Sequence, residues 1–95
     1  MIYVFLANGF EETEAIAPID LLRRSGKQVV TVGVGDSIIT GSHGIPVATD
    51  TIAQEAPLSE DLEMIVLPGG MPGTLNLEKS RYVQEAIDFC VENNI

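Results

Sequence analysis

Basic residues are scarce in this chain of 95 residues, which has 5 lysines and arginines against 14 aspartates and glutamates and a formal net charge of -9. The phosphate backbone of nucleic acids and the headgroups of anionic lipids are negative themselves, so this charge disfavours both as partners. We therefore expect the protein to bind neither nucleic acid nor a membrane surface.

Cysteine and long apolar runs are also nearly absent. The single cysteine, Cys90, excludes an intrachain disulfide framework and cannot build a thiolate metal site alone. Neither a phosphate loop nor a dinucleotide fingerprint is present, and no cofactor is expected. No metal site is expected either. No apolar run approaches the roughly 20 residues of a membrane span, and a strand pattern begins at residue 2 without the basic flank of a signal peptide. These features predict a cytoplasmic protein.

What is present is an alternation of strand and helix patterns, typical of one α/β domain with a mainly parallel sheet. The predicted strands are Ile2–Ala7, Gln28–Val34 and Met64–Leu67, and the main helices open at Glu11 and at Arg81. The short turn from Ser25 to Lys27 favours a strand, helix, strand unit with parallel strands. A run that is apolar throughout, such as Ile2–Ala7, is typical of a central strand buried on both faces.

Three further segments refine this pattern. The stretches Ser37–Thr40 and Ile45–Thr49 flank Gly41-Ser42-His43-Gly44 and predict a β-hairpin at an edge of the sheet. A short helical turn is expected after Pro72. The buried stripe of the first helix is predicted at Ala15, Ile16, Ile19 and Leu22, and Pro18 should bend or loosen that helix at Glu14, whose carbonyl it leaves without a donor.

The last helix leaves the carboxyl end of a strand, which is typical of a crossover toward a further parallel strand. Met64–Leu67 also has the apolar character of an interior strand. We therefore expect residues 1–95 to be the N-terminal part of a larger domain, completed by a further segment or by a second chain.

Two stretches are candidates for chemistry. Glu14 is expected above the strand ends. A partly buried carboxyl there would have a raised pKa and could act as a hydrogen-bond donor or proton shuttle. The alternative is that acidic residues at this helix start only interact favourably with the helix dipole. Gly69 and Gly70 directly follow a core strand and could point backbone N–H groups at an oxyanion, although an ordinary tight turn is equally compatible.

Two other residues are weaker candidates. His43, at the hairpin tip, is a candidate substrate or interface contact, but a lone loop histidine is more often simply solvated. Cys90 lies in the middle of a helix on an apolar stripe with acidic neighbours. Its thiol should have a raised pKa and should be inert.

Two stretches closely resemble the N-terminal half of the ThiJ/PfpI superfamily, nearest to its Parkinson disease protein 7-like branch. They are Val4 to Gly26, with Glu-Glu-Thr-Glu at a helix start, and the later Ile65-Val66-Leu67-Pro68-Gly69-Gly70. The resemblance implies a flavodoxin-like sandwich and a nucleophilic cysteine located beyond Ile95. It also implies that Glu14 matches an acid that hydrogen-bonds this cysteine and that Gly69 and Gly70 match a turn of the oxyanion pocket. His43 stands where some relatives have an arginine near the pocket and the dimer interface.

By this resemblance, the whole protein is expected to be a homo-oligomer with glyoxalase, deglycase or redox-responsive activity on small carbonyl compounds, and the isolated chain is expected to be inactive. Two other interpretations stay open: a chaperone-like or dimerising interaction module, and a peptidase or amidase of the same superfamily. A signalling receiver domain is disfavoured because the third strand ends in Pro68-Gly69-Gly70 where an aspartate would be required.

Overall fold

Six strands and three helices make up the computed structural model, which describes residues 1–95. Their bounds are β1 Ile2–Leu6, α1 Glu12–Arg24, β2 Val29–Gly33, β3 Ile38–Thr40, β4 Pro46–Ala48, β5 Thr51–Ile52, β6 Met64–Val66, α2 Gly73–Lys79 and α3 Arg81–Glu92. These elements confirm every strand and helix that the sequence predicts. The two-residue β5 and the 3-10 turn after it, Ala53–Glu55, are additional.

The main sheet has four parallel strands in the order β5, β2, β1, β6. β1 pairs with β2 along its whole length, from Ile2 opposite Val29 to Leu6 opposite Gly33. On its other side β1 pairs with β6, and all five of its residues are buried. The prediction of a central strand buried on both faces is therefore confirmed.

The two faces of β1 belong to two different hydrophobic clusters, because successive side chains of a strand point to opposite faces. Tyr3, Phe5 and Ala7 pack with residues of α2 and α3, among them Leu77, Val83, Ala86 and Cys90. Ile2, Val4 and Leu6 pack with Phe10, Ile39 and two residues of α1, Ala15 and Ile19. Helices thus cover both faces of a parallel sheet, which confirms the three-layer α/β architecture.

The β3–β4 hairpin differs from the prediction that it extends the main sheet. Its strands are antiparallel and form a separate two-stranded sheet. The hairpin is attached through Ile39, which is fully buried in the cluster on the α1 side, and through backbone hydrogen bonds from Gly9 to Thr40 and from Ser42 to Phe10, each of 2.8 Å. The hairpin is thus held to the domain by a buried side chain and two loop hydrogen bonds, and not by strand pairing with the main sheet as expected.

Helix α1 buries a narrower stripe than its sequence predicts. Ala15 and Ile19 are buried and Leu22 is half-buried, but Ile16 is 41% exposed. The helix contacts the sheet through one side only, and Ile16 lies just outside that side, toward a shallow cleft shared with Ile45. The helix runs without interruption through Pro18.

The edge of the sheet at β6 is open in this chain. Met64 and Leu67 are 42% and 43% exposed, and Ile65 and Val66 are half-buried. An apolar strand at an exposed edge is unusual, because such edges invite pairing with another strand.

None of the three helices reaches the length and apolarity that a bilayer crossing requires.

Candidate functional site

The loop after β1 and the loop after β6 meet at one edge of the sheet, as parallel neighbouring strands require. The backbone N–H of Glu11 donates to the carbonyl of Gly69 over 2.8 Å, and the N–H of Gly73 donates to the carbonyl of Gly9 over 3.2 Å. The two stretches that the sequence singles out, about 55 positions apart, are therefore in direct contact.

Glu14 lies in the first turn of α1 and reaches the loop after β6. Its Oε1 accepts a hydrogen bond from the backbone N–H of Gly69 over 3.2 Å. Its own backbone N–H donates to Oε2 of Glu11, the N-cap residue, over 2.7 Å. The side chain is exposed and not partly buried as expected, because the neighbouring strand β6 is the edge of the sheet and nothing in the chain covers the carboxylate.

The glycine turn leaves one of its two N–H groups free. The N–H of Gly69 is taken by Glu14, whereas the N–H of Gly70 has no acceptor in the chain. Gly70 has φ of +112°, and a Cβ there would lie 2.5 Å from the backbone nitrogen of Glu11. Only glycine fits this position, and its small size brings the loop against the start of α1.

A mainly apolar cleft of about 300 Å³ opens beside this turn. It is lined by Leu67, Pro68, Gly69, Thr74, Leu77, Glu78, Val83, Gln84 and Ile87. The cleft runs from the end of β6 to α3, so a group that approaches the Gly69-Gly70 turn from this side meets apolar walls.

Glu12 and His43 form a second, unexpected cluster on the other side of α1. Glu12 is only 7% exposed. Its Oε2 accepts hydrogen bonds from the backbone N–H groups of His43 and Ile45, over 2.9 and 3.3 Å, and its Oε1 lies 2.9 Å from Nδ1 of His43. Gly41 packs against this carboxylate and leaves no room there for a Cβ. Glu12 thus ties the hairpin tip to the helix start.

Glu12 and His43 shift each other's pKa toward the charged form. Burial alone would raise the pKa of Glu12, but the hydrogen bonds from the His43 side chain and from the backbone N–H groups outweigh burial and lower the pKa to about 2. The same hydrogen bond and the charge of Glu12 raise the pKa of His43 above 6.5. The imidazole itself stays largely exposed, with 71% of the His43 side chain accessible.

The burial of Glu12 has a signal in the sequence, although Glu12 was not predicted to be buried. Residues 12, 15 and 19 follow the i, i+3, i+7 spacing of a single helix face, and this is the face that α1 buries. A glutamate on a buried stripe needs hydrogen-bond partners, and the glycine-flanked Ser42-His43 provides them.

One group of side chains has the composition of a metal site. Single ligand atoms of Glu11, Glu12 and His43 lie within 4.8 Å of one another. However, both oxygens of Glu12 already bind His43 and Ile45, and Oε2 of Glu11 binds the N–H of Glu14. A cation would have to displace these hydrogen bonds. The cluster is therefore a hydrogen-bonded contact between the hairpin and α1, and it does not offer the free ligand atoms that a metal site needs.

Cys90 is buried in α3, and burial raises the pKa of its thiol. The prediction that it is buried and has a raised pKa is confirmed. No other cysteine is present, so the site contains no thiol of its own.

A sequence profile of the DJ-1/PfpI family matches residues 1–95. The Parkinson disease protein 7 homolog of Danio rerio is 33% identical over 85 residues, which are 88% of this chain and 45% of that protein. A protein named deglycase from Pyrococcus abyssi is 33% identical over 89 residues, 94% of this chain and 51% of that protein. The crystal structure of the VC2308 protein matches with a TM-score of 0.91 and 32% identity, over 98% of this chain and 47% of that one. The chain thus spans about half the length of these relatives.

Proposed function

The chain belongs to the DJ-1/PfpI family, and from this membership we propose that it is the N-terminal part of a cysteine-dependent enzyme domain. The proposed substrates are small carbonyl compounds or glycated adducts, and the chemistry is of the glyoxalase or deglycase type. The nucleophilic cysteine is supplied by a segment outside these 95 residues. The deglycase name of the Pyrococcus abyssi relative supports this choice of substrate.

The observation that carries the proposal is the contact between Glu14 and Gly69. It brings a carboxyl group and a glycine turn to the carboxyl ends of two adjacent parallel strands, where α/β enzymes collect their catalytic groups. The free N–H of Gly70 is part of the same turn.

Each group has a role in the proposed reaction. The thiolate of the incoming cysteine attacks the carbonyl carbon, a carbon–sulfur bond forms, and the electron pair of the carbonyl moves to its oxygen. The N–H of Gly70 stabilises this oxyanion. Glu14 hydrogen-bonds the sulfur and carries the proton that the thiol loses and the oxygen later gains.

The open edge at β6 supports a further part of the proposal. A strand of the C-terminal half pairs with β6, covers Met64 and Leu67, and removes Glu14 from bulk water. The relatives are about twice as long as this chain, which is consistent with such a segment. The exposed apolar edge also favours the second candidate function, an association module that binds its own C-terminal half or another copy.

Two experiments test the proposed function. The isolated chain, mixed with methylglyoxal, should leave the aldehyde unchanged, because it has no reactive thiol. Turnover by a pure preparation of residues 1–95 would overturn the assignment.

The second experiment uses the protein extended by its downstream sequence. Glu14→Leu should reduce kcat/KM for methylglyoxal by about a hundredfold, and Glu14→Gln, which keeps a hydrogen-bonding side chain, should reduce it less. Glu85→Gln, on the exposed face of α3, removes the same charge and serves as the control. Equal activity of Glu14→Leu and the control would contradict the role of Glu14.

A further inference from the structure

Lys79 is the one basic side chain of the chain without a carboxylate partner. Arg23 pairs with Asp50, Arg24 with Asp20, Lys27 with Glu63 and Arg81 with Glu85, at distances of 2.8 to 3.3 Å. With 14 acidic residues available for 5 basic ones, a lysine without a partner is unexpected. Its place in the last turn of α2 suits the helix dipole but does not require that it lack a counterion.

Lys79 lines an open cleft of about 450 Å³ together with Asn8, Val34, Gly35, Asn76 and Ser80. Asn8 lies beyond the end of β1, and Val34 and Gly35 directly follow β2. The cleft is therefore at the carboxyl edge of the two central strands, where ligands of open α/β sheets bind. One of its six residues is apolar and none is acidic, and its volume is in the range of small-molecule sites.

The polar groups of this cleft that lack a partner are mainly donors. Asn8 uses its Oδ1 to accept from the N–H of Thr40 over 2.9 Å, which leaves its Nδ2 without a partner. The N–H of Gly35 has no acceptor in the chain. The hydroxyl oxygen of Ser80 accepts from the N–H of Val83 over 3.2 Å, so its proton is free to be donated.

Asn76 holds two sides of the cleft together. Its Nδ2 donates to the backbone carbonyl of Asn8 over 2.7 Å, which joins α2 to the loop after β1. This bond uses one donor and one acceptor of the cleft, so the donors counted above stay available. The donors therefore come from separate segments that a hydrogen bond fixes relative to each other, and they do not belong to a single flexible surface.

We propose that this cleft binds a small organic anion through a carboxylate or phosphate group. The residues that line this one cavity carry an ammonium, an amide, a hydroxyl and a backbone N–H without partners, in a chain whose overall charge is negative. Oxyanions are the ligands that accept from all four donors and also neutralise the lysine. The site is separate from the Glu14–Gly69 contact and does not depend on the proposed carbonyl chemistry.

The test is a titration of the ¹⁵N-labelled chain with sodium phosphate and, separately, with sodium acetate, followed by NMR at an ionic strength held constant with chloride. We expect saturable shifts at the backbone amides of Gly35 and Lys79 and at the side-chain amide of Asn8. The anion that saturates at the lower concentration identifies the preferred group. Shifts that fail to saturate with both anions, or that spread over the whole surface, would overturn the proposal.

Matched variants make the test specific. Lys79→Met should weaken binding by at least about tenfold, whereas Lys27→Met, which removes the same charge from the turn after α1, should leave binding unchanged. Asn8→Asp keeps the acceptor for Thr40 but replaces the free donor with a negative charge, so it should abolish saturation. Equal affinities of the Lys79→Met and Lys27→Met chains would show that only the net charge matters and would refute the site.

Discussion

Oε1 of Glu14 and the backbone N–H of Gly69 are joined by a hydrogen bond of 3.2 Å across 55 positions of the chain. The carbonyl of the same glycine accepts from the N–H of Glu11 over 2.8 Å. Gly69 is therefore bound through both of its backbone groups to the start of α1. The position of the glycine turn and the position of the Glu14 carboxylate depend on each other.

Alanine substitutions at Gly69 and Gly70 should have different costs. A methyl group at Gly69 would lie 2.5 Å from Oε1 of Glu14, the end of an exposed side chain that can rotate away. At Gly70, φ is +112° and the methyl group would meet backbone atoms of Glu11 and Gly9. We expect Gly69→Ala to lower the free energy of unfolding by less than about 1 kcal/mol and Gly70→Ala by roughly 3 kcal/mol. Urea unfolding followed by circular dichroism measures both, and equal losses would contradict the geometry.

Glu12 should make stability depend on acid pH. Its folded pKa of about 2 lies below its ordinary value of 4.5. The stability it contributes is therefore fully present above pH 4.5 and is lost as the pH falls toward 2. The variant Glu12→Gln turns an amide NH₂ toward donors and should be less stable than the wild type at about pH 6. In urea unfolding at a series of pH values, this difference should shrink between pH 4.5 and 2.

The control for this prediction is Glu85→Gln, which removes a carboxylate from an exposed pair with Arg81. Its stability difference from the wild type should be small throughout. If the Glu12→Gln difference is the same at about pH 6 and at about pH 2.5, Glu12 is not held ionised by the hairpin tip.

His43 should titrate above its ordinary pKa of 6.5, because it hydrogen-bonds the ionised Glu12 and lies near Glu11. Its contribution to stability is complete below pH 6.5 and is lost as the pH rises through the higher folded pKa. An NMR titration of the imidazole Hε1 resonance measures this value. In Glu12→Gln the pKa should move back toward 6.5, and an unchanged value would show that Glu12 is not the cause.

Cys90 should be unreactive in the folded chain, because it is buried and burial raises the pKa of its thiol. We expect iodoacetamide at about pH 8 to alkylate it at least about a hundredfold more slowly than in the urea-unfolded chain. A Thr13→Cys, Cys90→Ala double variant supplies an exposed thiol on α1 as the control. Rapid alkylation of native Cys90 would mean that α3 opens easily or that the thiol is activated.

Much of the fold can be predicted because its signals are local. β1 is apolar on both faces, which specifies a central strand, and the short turn at Ser25–Lys27 leaves only a parallel connection to β2. β5 is missed because two residues are too few to show a periodicity. The sequence does not predict that the hairpin is separate from the main sheet, because the pattern of a hairpin does not indicate whether its strands also pair with another strand.

The candidate site can be predicted in part. The sequence places Glu14 and Gly69 at the ends of parallel strands, and the structure brings them together. The exposure of Glu14 is not foreseen, since it depends on β6 being the edge of the sheet. Glu12 is not singled out, since its partner His43 follows 31 positions later in a hairpin tip.

The sequence alone determined the alternation of strands and helices, the central place of β1 and the buried state of Cys90, because each follows from side-chain pattern over a few residues. Only the tertiary structure decided which carboxylate is buried, which glycine N–H stays free and which lysine has no partner. These depend on distances between segments that meet only after the strands have paired in register. Hydrogen bonds form only at distances of about 3 Å. Local sequence patterns do not specify the relative positions of distant segments with that precision.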